Sequence, residues 1–372
     1  MRTVLIDGRV PMTTYALGQA MDDAFDQQYA AFFENSFKLS DEFKTASLKY
    51  FDDYANSPHA PAAHDHYFYC FTVIWNALRS AGRLEEAERI WKLAHEPAQE
   101  WEQAHPGQAV DKGALYYFWA MTALLRGSMD RGYVLMHQSV QEDSRTSGQP
   151  NPDTPSFALV SLNDDKTDQA FRQWVIDQAK FFEVFVGDYC TTYGRPFKIE
   201  DMKLKFLRNP PSADAVFQLT HAVARLREIA GLPEQSKRNS FVGQIQLNLL
   251  FDILLVVDNA IHQKNPTKWK FSDHARYLLD RAGHGLKLNE LQKEVHGQFK
   301  ANFNAALKAA LNGTFTIRAG VLDRLQCDVA VAYGLRNRGA HEIEAVPAIW
   351  KELDQVQRAV FRTFCATVDY LY

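Results

Sequence analysis

Apolar residues recur every three or four positions along most of this chain, and the strict alternation of a half-buried strand is scarce. This spacing narrows the fold more than any other property. A helix turns once every 3.6 residues, so such a pattern gives each segment one apolar face, and those faces must cover one another. Stretches 3–6 and 314–317 read as extended, but neither amounts to a sheet. The predicted class is all-α.

At 372 residues the chain is long enough for two or three domains, each with its own core. Hydrophobic residues at 46% and charged residues at 23% are ordinary for a globular protein. The formal net charge of −4 provides no global basic field, so a nucleic-acid site has to be local. Cys70, Cys190, Cys327 and Cys365 are far apart and form no C-x-x-C pair. That argues against a disulfide framework or a zinc site and fits a reducing compartment. The opening MRTVLIDGRVPM lacks the long apolar core of a secretion signal. The most apolar run, 247–257, is interrupted by Asn248 and Asp252 and is short for a bilayer. The expected location is cytoplasmic, with no membrane partner.

Three regions are expected: a helical, repeat-like region over 1–145, a linker with connecting helices over 146–212, and a helical domain over 213–372. In the first, an apolar helix ends at Gly82 and a second begins at Leu84, with Glu85, Glu86 and Glu88 near its positive end. The pattern returns around Gly127, 45 positions later, a spacing compatible with helical-hairpin repeats. GRLEEAERIWKLA resembles a tetratricopeptide-type turn and second helix; an irregular bundle fits equally. Residues 144–168, rich in Ser, Pro, Asn and Asp, read as a linker, followed by a helix over 168–189. The third region is predicted to hold helices over 213–230, 238–263, 272–282, 287–311, 319–342 and 347–371. Ser212 would cap the first and Pro347 would sit in the first turn of the last.

The densest cluster of reactive side chains is YGLRNRGAHEIE, 333–344. Asn337 and His341 lie one helical turn apart, while Arg336 and His341 are about 140° apart at the α-helical angle. Arg336, Arg338 and His341 can be explained as cations at a helix C-terminus, where the macrodipole favours them, with Arg338 pairing with Glu342. The same R-x4-H spacing, with Asn directly after the Arg, resembles the HEPN family of all-α endoribonucleases. The preceding long apolar helix with embedded polar residues, 241–262, also resembles that family. The likeness covers about the last 135–160 residues. Arg89 with His95 and Arg131 with His137 satisfy a bare R-x5-H pattern but lack the Asn and lie on ordinary repeat helices.

The resemblance implies a metal-independent endoribonuclease without a cofactor, whose site is completed by two copies of the domain in a homodimer. Catalytic residues would be Arg336, Asn337 and His341. RNA supplies its own nucleophile, the 2′-OH; a histidine titrating near neutrality suits proton transfer, and arginine pairs with phosphate oxygens. The products would be a 2′,3′-cyclic phosphate and a 5′-hydroxyl, and DNA would be refused. The family context implies a role in bacterial defence or a toxin–antitoxin-type system, with an antitoxin or sensor protein meeting the N-terminal helices. A non-catalytic HEPN module that binds RNA or a partner, and a scaffold acting through the N-terminal half, are the alternatives.

On the helix ahead of the motif, Gln244, Asn248, Asp252, Asn259 and His262 share one face. Either Asn248 and Asp252 support the site by meeting Arg336, or this is a solvent face. His59, His64 and His66 read as a surface loop rather than a metal site. His262, His274, His284 and His296 show no ligand spacing, and Tyr116–Trp119 reads as core.

Overall fold

In a computed structural model, described for residues 1–6, 10–34, 37–147, 153–210, 212–237, 239–338 and 346–372, helices account for 74% of the chain. The fold is all-α. It divides into two compact units, Met1–Phe157 and Ala158–Tyr372.

The first unit begins with a two-stranded antiparallel hairpin, β1 (Arg2–Ile6) and β2 (Val10–Thr14). The extended stretch near the N-terminus therefore finds a partner, although Pro11 in β2 lacks an N–H; a two-stranded ribbon tolerates it because both strands are edges. The helices that follow are α1 (Gln19–Phe33), α2 (Asp41–Tyr54), α3 (Ala60–Cys70), α4 (Thr72–Ser80), α5 (Leu84–Ala104), α6 (Gly113–Leu125) and α7 (Met129–Ser147). The turns α4–α5 and α6–α7 are built alike. Gly82 and Gly127 adopt φ +73° and +76°, and the next residue donates back into the helix, Arg83 N to Leu78 O at 2.8 Å and Ser128 N to Ala123 O at 2.9 Å. Both are Schellman stops, which require a left-handed residue that glycine supplies without strain.

A short helix, α8 (Pro155–Val160), spans the division between the units. The polar composition of 144–168 hides an apolar core: Phe157, Ala158, Leu159, Val160 and Leu162 are all buried. The second unit continues with α9 (Gln169–Tyr193), α10 (Ile199–Met202), α11 (Ala213–Ala230), α12 (Glu234–Lys237), α13 (Ser240–Lys264), α14 (Phe271–Arg281), α15 (His296–Ala301), α16 (Phe303–Leu311), the hairpin β3 (Thr316–Ile317) and β4 (Gly320–Val321), α17 (Arg324–Arg338), α18 (Val346–Lys351) and α19 (Leu353–Leu371). Helix α9, placed with the connecting region on sequence grounds, packs on α19. Three predicted helices are shorter or broken. The stretch 287–311 opens with a π-helical segment and is cut at Asn302, whose side chain accepts from Ala305 N at 3.1 Å and starts α16. The helix expected from 319 begins at Arg324, because 316–321 pairs as a hairpin with Gly320 at φ +134°. The last helix breaks at Glu352.

Helix α13 is the hub of the second unit, packing on α11, α14, α17 and α19. At 25 residues it is long and apolar enough to cross a membrane by length and composition. Its Leu247, Leu250, Ile253, Leu254, Val257 and Ile261 are buried within the unit. The α9–α19 contact is aromatic, with Phe185 stacked on Phe361 at 3.9 Å. A fully buried side chain of this kind contributes about 1.5–3 kcal/mol.

Through this apolar packing runs one ionic knot. Asp328 of α17 is wholly buried and accepts two bonds from Arg362 of α19, from Nε at 2.6 Å and Nη2 at 2.8 Å. Arg362 Nη1 donates to Asp188 of α9 at 2.8 Å, Tyr193 of α9 donates to Asp328, and Arg324 adds a contact at 3.2 Å. The two bonds of this bidentate pair offset much of the desolvation, but either partner alone would be a buried uncompensated charge. Arg362→Ala is expected to cost about 3–5 kcal/mol in urea denaturation. Replacing the pair together, as Arg362→Met with Asp328→Leu, should recover most of that loss; equal destabilisation by the single and double variants would contradict this reading.

Candidate functional site

Helix α17 carries the Arg-Asn end of the sequence motif. It starts with a reciprocal cap, in which Asp323 accepts from Gln326 N and Gln326 accepts from Asp323 N, both at 2.9 Å. Val329, Ala330, Val331 and Ala332 are buried. Gly334 admits the ring of Phe299 against the helix backbone; a β-carbon there would lie 2.6 Å from that ring. The close approach fixes the last turns of α17 beside α15. Arg336 and Asn337 are half-buried on the next turn. His341 and the side chain of Arg338 lie outside the described residues.

Arg336 Nη2 lies 3.7 Å from Asp258 Oδ2 of α13. That distance is an ion pair but too long for a hydrogen bond. Arg336 Nε is buried and has no acceptor among the described residues. Among the described residues the guanidinium is thus held by charge rather than by a hydrogen bond. The side chains of Asn337, one turn on, and Ser272 of α14 approach the Tyr333 hydroxyl. Burial first of all raises the Tyr333 pKa, and these two polar neighbours partly oppose it. The Tyr333 ring stacks on Phe271 at 6.2 Å.

Asp258 is held in turn by His274 of α14, whose Nδ1 is 2.5 Å from Asp258 Oδ1. The other ring nitrogen, Nε2, is 3.0 Å from the carbonyl oxygen of Lys268. A carboxylate and a carbonyl only accept, so both bonds form together only when both ring nitrogens carry protons. These contacts favour the protonated ring. Burial favours the neutral ring, but the Asp258 hydrogen bond, the Lys268 carbonyl and the charges of Asp258 and Asp273 outweigh it and raise the His274 pKa. His262 Nδ1 reaches the same Lys268 carbonyl at 2.9 Å.

The supporting residues expected from the sequence fall elsewhere. Asp252 lies 3.5 Å from Gln218 Nε2 of α11. Its pKa is raised, mainly by burial, against the Gln218 bond and the nearby His221. Asn248 is exposed. The acid that meets Arg336 is Asp258, six residues further on, which at 100° per residue projects about 120° away from Asp252. Grouping polar residues on a wheel found the outer face of α13, whereas an acid that pairs with a cation faces a neighbouring helix. His274 and Asp258 were legible only as isolated polar residues on apolar helices, where a buried charge calls for a partner.

The discounted Arg–His pairs have structural work. Arg131 pairs with buried Glu88 at 2.5 Å and Arg126 joins it, while Arg89 lies 4.8 Å from the Phe37 ring. The HDH stretch is helical in α3 rather than a surface loop. His64 is buried and accepts from Asp111 N at 2.9 Å; burial, helped by Lys112 and Arg145, lowers its pKa to about 4.

Because the folded pKa of His274 is raised, its contribution to stability is complete below about pH 6.5 and is lost as pH rises through the folded value. The stability advantage of the wild type over His274→Gln should therefore shrink from near-neutral to alkaline pH. Asp258→Asn should lower the His274 titration midpoint followed by NMR; an unchanged midpoint would show that Asp258 does not hold the ring. No family model, curated protein or solved structure matches this chain.

Proposed function

We propose that this chain is a metal-independent endoribonuclease of the HEPN type, acting in the cytoplasm with Arg336, Asn337 and His341 as its catalytic residues. The observation that carries the reading is the state of Arg336. It sits at the end of α17 in an R-N-x3-H stretch, pairs with Asp258 at 3.7 Å, beyond hydrogen-bond length, and leaves a third of its side chain open to an anionic oxygen. A phosphate in a crowded anionic transition state is the ligand for which such a cation is suited. His341 would move a proton between the 2′-OH, the leaving 5′-oxygen and solvent. One helix end holds a single Arg and a single His, so two copies related by a twofold axis would complete the site. A role in bacterial defence or a toxin–antitoxin-type system, with an antitoxin or sensor protein on the N-terminal helices, belongs to the same reading.

A second reading draws on the approach of Asn337 to the Tyr333 hydroxyl one turn back on its own helix. An Asn turned toward its own helix helps to build an end that binds RNA or a partner without cutting it.

The discriminating assay incubates mixed RNA with the wild type, Arg336→Ala and His341→Ala in EDTA. Cleavage by the wild type with 2′,3′-cyclic phosphate ends, and a drop of at least 100-fold in each variant, on the scale of about 10²–10⁴ for general acid–base catalysis, is the expected result. RNA bound equally by all three proteins and cut by none would establish the non-catalytic alternative.

A further inference from the structure

The loop joining α13 and α14 is the feature that the catalytic reading leaves unused. The segment 264–270 reads KNPTKWK, with Lys264, Lys268 and Lys270 all exposed and no acid among them. In a chain of net charge −4 this is a local basic patch. Trp269 stands in its middle with 81% of its surface open to solvent. One side of the indole leans on His262, with ring centroids 4.3 Å apart and planes tilted by 38°. Lys268 and Lys270 form no ion pair among the described residues.

The loop is anchored to the candidate site. His262 and His274 both donate to the Lys268 carbonyl, at 2.9 and 3.0 Å, and their rings are 5.6 Å apart. His274 then bonds Asp258, which faces Arg336. An open aromatic face among uncommitted lysines, fastened to the residue that holds the phosphate-seeking Arg336, is the combination that binds unpaired nucleotides: bases stack on the ring and phosphates meet the ammonium groups. Apolar burial against a protein would instead leave Lys268 and Lys270 unneutralised beside the contact, while Lys264 already lies over the Tyr372 ring at 4.0 Å.

We infer that the α13–α14 loop is an RNA-anchoring subsite, in which Trp269 stacks one unpaired base of the substrate while Lys268 and Lys270 contact the flanking phosphates. This inference rests on the ribonuclease reading for the identity of the ligand. It assigns residues outside the Arg–His motif and acts on binding rather than on the chemical step.

The test uses the full chain and a short, non-pairing 2′-O-methyl RNA, which stacks and carries phosphates but lacks the nucleophilic 2′-OH. Binding is followed by fluorescence anisotropy and the oligomeric state by sedimentation. Trp269→Ala should weaken binding about 5- to 150-fold, the range for one stacked base, and Trp269→Phe should restore most of it. The high exposure of Trp269 means that the substitution removes little packing. Lys268→Glu with Lys270→Glu should flatten the dependence of log K on log salt by roughly 1.4, or about 0.7 per lost phosphate contact. Equal binding by wild type and Trp269→Ala would overturn the subsite even if RNA is cleaved normally. So would a wild-type dimer that Trp269→Ala turns into monomers, since a second copy would then cover the ring. Binding that depends on Trp269 without cleavage of natural RNA would uphold the subsite while removing the nuclease reading. Absence of any RNA binding would remove both.

Discussion

The second unit depends on the buried pair between Asp328 and Arg362. Helices α9, α17 and α19 could slide past one another if only their apolar faces met, because such contacts are non-directional. A wholly buried carboxylate with two short bonds to one guanidinium fixes their register. Arg336 lies eight residues beyond Asp328 on the same helix, about 12 Å along its axis. Its placement opposite Asp258 is therefore set by the ionic knot and by the ring of Phe299 pressed against Gly334.

The two arginines illustrate how one residue type takes opposite roles. Arg362 gives Nε, Nη1 and Nη2 to carboxylates within 2.8 Å and is buried away from any ligand in solution. Arg336 meets one carboxylate at 3.7 Å and, among the described residues, makes no hydrogen bond through its buried Nε. Local sequence does not separate these cases. Both stand on amphipathic helices with apolar neighbours, and the difference arises from which helix faces each of them.

Most of the fold was legible because helix period and stop signals are local properties. The boundaries of α11 follow from Ser212 and the residues around Gly231, and the hairpin turns from Gly82 and Gly127. What escaped depends on pairing at a distance. The N-terminal strand needed a partner strand, and α16 needed Asn302 to turn its side chain toward Ala305 N. At the candidate site the sequence marks Arg336 and Asn337 by their order in the chain. Asp258 and His274 are 78 and 62 residues earlier and join Arg336 only through the packing of α13, α14 and α17. Wheel geometry alone chose Asp252, because it ranks residues by direction and not by what lies opposite.

The carbonyl oxygen of Lys268 has both lone pairs taken, one by each histidine ring. A six-residue connection that would otherwise sample many backbone conformations is thereby pinned at its centre. The entropy of ordering it is spent during folding, at about 1–2 kcal/mol per residue fixed. Whatever meets this connection finds its backbone already ordered, so association is spared that part of the cost.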